Sequence, residues 1–437
     1  MKTISSPKAV PASTPAANSS TLELTRRQFL RQSSAVAGGL ALYGAATADA
    51  RAAGSPNERI RYALIGCGGQ GNGHLDSVMK LKAGGYPVEI VAVCDVYAKR
   101  AEEAARKTGG KACADYRQVL EQKDIDAVGI AAPDHWHCKL VIEAADAGKD
   151  IYCEKPMTHW RDLTEPRRMV EAVARNKRVL QVGTQGMSEG IWEPIAEKIK
   201  AGAIGKVVHA QSSDMRNYSV GLYDPKSDDG VAKPGVNLDW DQWLGPAPKH
   251  AYECGRFFAF RCYWDYSGGV GTDFLPHLLT PLAFAMNLGF PRRVSALGGQ
   301  CAYKGGREIP DIYNLLIEYA EGTTVYLMAG IANSTPIPTV IRGHEATVHV
   351  HKGPGAMILP EQAVKPGGEE VSIPQTRGGS VEEHYRNFFD CVKSRQKPRS
   401  NELLAHRVMT ALNLGIHSFR TGRTWEYDAA TDTGRAV

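Results

Sequence analysis

The sequence predicts an α/β protein in two parts: a doubly wound parallel sheet first, then a second α/β domain with an antiparallel sheet. Three observations carry that reading. Over residues 59–183 short apolar runs alternate with helix-like stretches, the rhythm of parallel βαβ units. Beyond residue 290 several β-rich runs follow one another without long helices between them, as antiparallel strands do. The chain has 437 residues, 43% hydrophobic and 23% charged. That is ordinary globular composition, and at roughly 150 residues per domain it allows two or three domains.

In chain order, residues 61–65 are a short apolar strand, followed by glycines and a helical stretch to about residue 82. Residues 88–94 form a continuous apolar run ending at Asp95, and 98–107 read as a helix. A buried strand at 127–132 leads into a helix over 135–147, with Leu140, Val141, Ala144 and Ala145 on one side. Then come a strand at 150–153, a helix at 162–176 and a strand at 178–182. In the second part, 191–201 reads as a helix and 207–212 as a strand. Residues 214–258 are a long irregular stretch holding Trp240 and Trp243, a length typical of functional loops. An apolar helix at 278–286 precedes strands at 293–297, 312–319, 323–331, 339–342 and 346–351, and helices at 381–394 and 401–421 close the chain.

Residues 1–53 read as a leader and are set aside from the fold. Thr25-Arg26-Arg27-Gln28-Phe29-Leu30-Arg31 precedes an Ala/Gly-rich run at 33–47 and Ala48-Asp49-Ala50, the charged region, apolar segment and cleavage site of a secretory signal, here of twin-arginine type. The apolar run is short for a spanning helix, so no stable membrane span is expected and the protein is expected in the periplasm or otherwise outside. That route carries folded proteins, so a cofactor would be loaded before export and held tightly. The net charge is +5, of which the leader carries +4. The nearly neutral body has no charge drive toward nucleic acid or anionic membrane. Nine cysteines without a CxxC or a His/Cys ladder indicate neither a metal site nor a disulfide framework. Cys67, Cys94 and Cys153 read as buried thiols.

Gly66-Cys67-Gly68-Gly69-Gln70-Gly71 follows a strand and opens a helix. In that context the first glycine permits the tight turn, the second lets the backbone approach a pyrophosphate and the third packs helix on strand. Asp95 would accept from the ribose hydroxyls and favour NAD over NADP, with Lys99 and Arg100 keeping NADP as the lesser alternative. Pro133-Asp134-His135-Trp136-His137 follows the next strand, and Asp134 is expected to cap the following helix. Glu154-Lys155-Pro156 places an ammonium at a strand's carboxyl end, where ligands of open α/β sheets bind. Trp264-Asp265-Tyr266-Ser267-Gly268-Gly269 leads into Asp273-x-x-x-His277, one helical face carrying a carboxylate and an imidazole, a pair suited to taking a proton from an alcohol. The flanking Trp264 and Tyr266 suggest a sugar-facing site. His349 and His351 read as exposed on a strand, and His384, His406, His417, Phe388, Phe389 and Trp425 as structural.

The order GCGGQG, CD, APDHWH, CEKP and GG-x-x-x-D-x-x-x-H resembles the Gfo/Idh/MocA oxidoreductase family, closest to exported members with twin-arginine leaders. The resemblance implies a Rossmann domain at 59–183 and a C-terminal α/β domain at 184–437 with a large, mostly antiparallel open sheet that often forms oligomer interfaces, so a homodimer or homotetramer is expected. It implies NAD(P) and hydride transfer at a sugar or polyol carbon. It makes Lys155 the group that positions nicotinamide and substrate hydroxyl, His277 the general base, and Asp273 the residue that orients His277 or holds the substrate. Gly66, Gly68, Gly69, Gln70, Gly71, Asp95, Pro133, Trp136, His137, Glu154 and Gln185 would surround the cofactor. Two alternatives stay open: a redox-neutral, NAD-dependent glycosidase, and a non-catalytic dinucleotide or sugar sensor. The intact EKP favours the dehydrogenase, and the set Lys155, Asp273 and His277 argues against a sensor.

Overall fold

The computed structural model describes residues 59–217, 223–352 and 355–437; the leader over 1–53 lies outside them. The first sheet contains β1 (Ile60–Ile65), β2 (Val88–Cys94), β3 (Lys111–Cys113), β4 (Ala127–Ile130), β5 (Asp150–Glu154) and β6 (Leu180–Gly183). Its order is β3-β2-β1-β4-β5-β6, and neighbouring strands run parallel. The order reverses between β1 and β4, which opens a crevice at the strands' carboxyl ends. The sequence reading missed β3, a short edge strand with two exposed residues; such a segment needs no apolar run.

The second sheet contains β7 (Val207–Met215), β8 (Pro291–Gly299), β9 (Ile312–Tyr319), β10 (Thr324–Gly330), β11 (Val340–Gly343), β12 (Ala346–Lys352), β13 (Gly355–Pro360), β14 (Val371–Pro374), β15 (Trp425–Asp428) and β16 (Thr433–Ala436). Ten strands lie in the order β14-β13-β12-β11-β7-β10-β9-β8-β15-β16. They pair antiparallel except for β7 with β10. Helices Leu275–Ala285 and Glu402–Thr421 pack against it. Along β9, Tyr313, Leu315 and Ile317 point into that core while Leu316 remains 48% exposed, the period-two pattern of a sheet covered on one side.

The last third of the chain returns to the first domain. Helix Val381–Ser394 packs against helix Gly69–Ala83. Tyr385, Phe388 and Phe389 join Tyr62, Leu64, Leu75 and Tyr152 in one apolar cluster, so these two phenylalanines are core as the sequence suggested. Among the described residues no helix is long and apolar enough to cross a membrane.

Candidate active site

The glycine turn is shaped by steric necessity. Gly66 has φ +94°, and a Cβ there would lie 2.6 Å from the Ala131 backbone. A Cβ on Gly71 would collide with the Gly66 carbonyl. Gly68 and Gly69 are different: nothing lies within 4 Å of a Cβ on Gly69, and only the Arg100 side chain near one on Gly68. Two glycines therefore serve the fold, and two face open space at the start of helix Gly69–Ala83, where unsatisfied N–H groups favour an anion. Asp95 stands beside them, nearly buried. Its Oδ2 accepts the Cys67 N–H at 2.8 Å and its Oδ1 the Tyr97 N–H at 2.9 Å. Burial raises its pKa, against the opposing pull of Arg100.

Gly68, Gly69, Gln70, Asp95, Pro133, Trp136, Glu154 and Lys155 line a cleft of about 380 Å³ on one side, and Gln242, Trp243, Phe257, Phe258, Phe260 and Arg261 line it on the other. The second set comes from the long irregular stretch and the residues just after it. Sequence reasoning marked that stretch as a functional loop but singled out neither its phenylalanines nor Arg261, because irregular segments carry no period to read.

Lys155, one residue past β5, reaches across to the second domain. Its ammonium pairs with the Asp273 carboxylate and donates to the Asp273 carbonyl at 3.1 Å. Tyr223 donates to Asp273 Oδ2 at 2.7 Å, and Arg261 Nε lies 3.2 Å from Oδ1. Burial alone would raise the Asp273 pKa; Arg261 and Lys155 outweigh it and hold the carboxyl well below its usual range. Just before this segment Gly269 has φ +59°, and a Cβ there would press on Ile309 at 2.8 Å. His277 stands four residues beyond Asp273 but not on one continuous helix as the spacing predicts: Asp273 ends the short helix Val270–Asp273, Phe274 interrupts, and His277 lies in the first turn of Leu275–Ala285. Burial, then the Lys155 ammonium, push its imidazole down to about 4 against the pull of Glu154 and Asp273, so the ring is neutral at pH 7.

Beneath Lys155 lies a buried carboxylate network. Glu154 Oε1 accepts from Gln185 at 2.8 Å and Gln70 at 3.3 Å and lies 2.9 Å from His74 Nε2, while Oε2 accepts the Lys155 N–H at 3.1 Å. Burial opposes ionisation, but His74 and Lys155 bring the Glu154 pKa down to about 2. A Cβ on Gly183 would sit 2.5 Å from this carboxylate. His74 escaped the sequence reading; its one signal was its place a turn after Gln70 on the same helix.

Asp134 does not cap the next helix. A 3-10 turn over Asp134–Trp136 intervenes, the helix starts at His137, and no side chain caps it. Asp134 is instead buried opposite Arg261 and Ser267. His135 Nε2 lies 3.1 Å from the Trp243 carbonyl, and Trp136 Nε1 donates to the same oxygen at 2.8 Å. The same device recurs after β5: His159 Nε2 is 3.1 Å from the Trp264 carbonyl and Trp160 Nε1 donates to it at 2.9 Å. His137 lies behind the cleft wall, its ring nitrogens 2.6 Å from Pro156 O and 2.8 Å from Ala132 O. Trp264 and Tyr266, expected beside a sugar, do not line the cleft. Trp264 packs on Trp160, Phe419 and Arg420, and the buried Tyr266 packs on His135 and Trp243.

A glycine turn open toward a helix N-terminus, a buried acid ending the second strand and a cleft at the sheet's reversal point together fit a dinucleotide. The fold and site thus define a two-domain, dinucleotide-binding protein of oxidoreductase type. The chain belongs to the Gfo/Idh/MocA oxidoreductase family: residues 60–184 match its NAD-binding Rossmann fold and 193–434 its C-terminal alpha/beta domain. Among curated relatives, inositol 2-dehydrogenase 3 of Saccharopolyspora erythraea is 33% identical over 147 residues, 33% of this chain and 42% of that protein. Levoglucosan dehydrogenase of Pseudarthrobacter phenanthrenivorans is 31% identical over 274 residues, 61% of this chain and 66% of that protein. The chain thus matches less than half of the first relative's length. Among solved structures, levoglucosan dehydrogenase in complex with NADH and levoglucosan aligns with a TM-score of 0.63 at 19% identity, over 87% of this chain and 100% of that one. The WlbA dehydrogenase from Bordetella pertussis, in complex with NADH and UDP-GlcNAcA, aligns at 0.62 and 19%, over 84% and 97%. These likenesses speak for the fold.

Proposed function

We propose that the protein is an NAD-dependent oxidoreductase that moves a hydride between the hydroxyl-bearing carbon of a sugar, polyol or glycoside and a tightly held nicotinamide. The observation that carries this reading is the convergence of Lys155 from one domain and Asp273 from the other, beside a neutral His277, at the cleft. The names of the relatives, dehydrogenases of inositol and of levoglucosan, support the substrate class.

When bound, the nicotinamide ring supplies the hydride acceptor or donor. The chain's residues do the rest. Lys155 holds its ammonium where an alkoxide would develop, and Asp273 with Arg261 fixes that ammonium in place. His277 takes the hydroxyl proton. A weakly basic imidazole suffices, because a hydroxyl on a carbon losing hydride becomes a protonated carbonyl, a strong acid. Glu154 holds the Lys155 backbone N–H and so keeps the ammonium at its station.

Native mass spectrometry of the purified chain, then a panel of sugars, polyols and glycosides scored for nicotinamide absorbance and product structure, tests the reading. A bound dinucleotide and a keto product support it. Aglycone released without net NADH would point to the redox-neutral glycosidase, and binding without turnover to a sensor. We further propose export by the twin-arginine route; an Arg26→Lys, Arg27→Lys chain should then stay in the cytoplasm on fractionation. We also propose a homo-oligomer joined through the uncovered face of the ten-stranded sheet, where Leu297 is 76% exposed; a monomer by light scattering would refute it.

A further inference from the structure

At the end where Asp95 stands, the cleft adjoins a second depression of about 230 Å³, lined by Gly68, Asn72, Lys99, Arg100, Glu103 and Asp229 among others. It shares Gly68, Gly69, Arg100 and Phe258 with the main cleft. A dinucleotide held by Asp95 through its ribose would direct a 2′-phosphate, if it carried one, to this neighbourhood. Lys99 and Arg100 are the two cations that leave NADP open in the sequence.

The structure cancels the first of them. Lys99 Nζ lies 3.0 Å from Asp229 Oδ2, which also accepts the Tyr97 hydroxyl at 2.7 Å. Asp229 Oδ1 accepts the N–H groups of Val231 at 3.0 Å and Ala232 at 3.1 Å. The carboxylate is therefore fixed from both ends. Burial opposes its ionisation, but these bonds keep its pKa well below the usual range. Asp229 belongs to a loop of the second domain. Two backbone bonds pin that loop to the first domain, Ala98 N–H to Asn237 O at 2.9 Å and Asp239 N–H to Val96 O at 3.0 Å. Arg100 spreads its guanidinium over Phe257 and Phe258, 4.7 and 5.4 Å from the ring centroids. In the depression Lys99 and Arg100 face Asp229 and Glu103, so no net positive charge waits for a phosphate, and Asp95 adds a further negative one.

We propose that Asp229 is a second determinant of dinucleotide choice: it neutralises Lys99 and, with Asp95, excludes a 2′-phosphate, so that the chain takes NAD(H) over NADP(H). The inference rests on the dinucleotide reading of the cleft.

The test is competition between equimolar NADH and NADPH on the full-length protein, read as occupancy by native mass spectrometry and as affinity by fluorescence titration. Wild type should hold NADH. Asp229→Asn should raise the NADPH-to-NADH ratio by about tenfold or more, the scale of one recovered charge-assisted phosphate contact, with NADH affinity kept within a few-fold. Lys99→Ala alone should leave the ratio unchanged, and added to Asp229→Asn it should abolish the gain. Asp229→Ser, which keeps an acceptor for the loop, should reproduce the gain. An unmoved ratio with NADH binding intact overturns the proposal. So does a gain that survives Lys99→Ala, or loss of NADH binding in both Asp229 variants, which would make the residue a loop anchor only. Wild type that binds neither dinucleotide would instead overturn the reading of the cleft itself.

Discussion

The two ends of the cleft are built by opposite means. At the glycine end, backbone does the work: Gly66 and Gly71 let β1, β4 and the first helix close on one another, and Gly68 and Gly69 stay bare. At the Lys155 end, side chains 118 residues apart are joined by charge, Lys155 to Asp273, with Arg261 and Tyr223 on the same carboxylate. Steric fit depends on a few neighbours in the chain and ignores salt and pH. A buried ion-pair cluster depends on every member, since removing one leaves the others desolvated and unpaired. Damage at the first end should thus appear as lost stability or lost dinucleotide, and damage at the second as lost chemistry.

The largest effect should come from Lys155→Ala. Turnover should fall about 10²- to 10⁴-fold while the dinucleotide persists in native mass spectra; loss of both together would erase the contrast. Next, Gly66→Ala should cost about 2–4 kcal/mol in chemical denaturation, for a left-handed φ and a backbone clash together. Gly69→Ala, with open space around its Cβ, should stay within about 0.5 kcal/mol of wild type and lose dinucleotide affinity instead. Equal destabilisation of the two variants would show that the open glycines serve the fold as well.

Acid should separate the two ends further. Burial pushes His135, His277 and His384 each down to about 4 from an ordinary 6.5. Above pH 6.5 these rings are neutral whether the chain is folded or not. Below it the unfolded chain binds protons that the folded chain refuses until about pH 4, so stability should decline across that window, on the order of 1–3 kcal/mol per ring. Denaturation midpoints against pH measure this. In kinetics, kcat/KM should show no acidic limb near pH 6.5, and one assignable to His277 there would contradict its placement. The smallest effect concerns the two His-Trp clamps. Trp136→Phe and Trp160→Phe each delete one indole donor to a tryptophan carbonyl and should cost about 1 kcal/mol apiece; a much larger loss at one of them would show that the walls are not equivalent.

Much of this was legible in the sequence. The alternation that gave the parallel sheet, the glycine turn with Asp95 and the place of Lys155 at the carboxyl end of a strand are all local patterns. Each is dictated by a period of two or 3.6 residues or by the steric demands of one turn, and such demands act between neighbours in the chain. The single helical face expected of Asp273 and His277 was not found, since the helix breaks at Phe274. The sequence reading did not reach the flanking strands β13–β16; of these β14 and β16 are the sheet's edges, short and largely exposed, and such strands need no apolar run. Nor were the roles of Asp134, Trp264 and Tyr266, which hold walls or face a buried cation and so depend on what packs against them. Arg261, Tyr223, Phe257, Phe258 and Asp229 come from segments with no repeating pattern. They gained meaning only when the second domain's irregular stretch was laid over the first domain's crevice. Charge pairing and enclosure are properties of distance in space, and for Asp229 and Lys99, 130 residues apart, only the folded chain sets that distance.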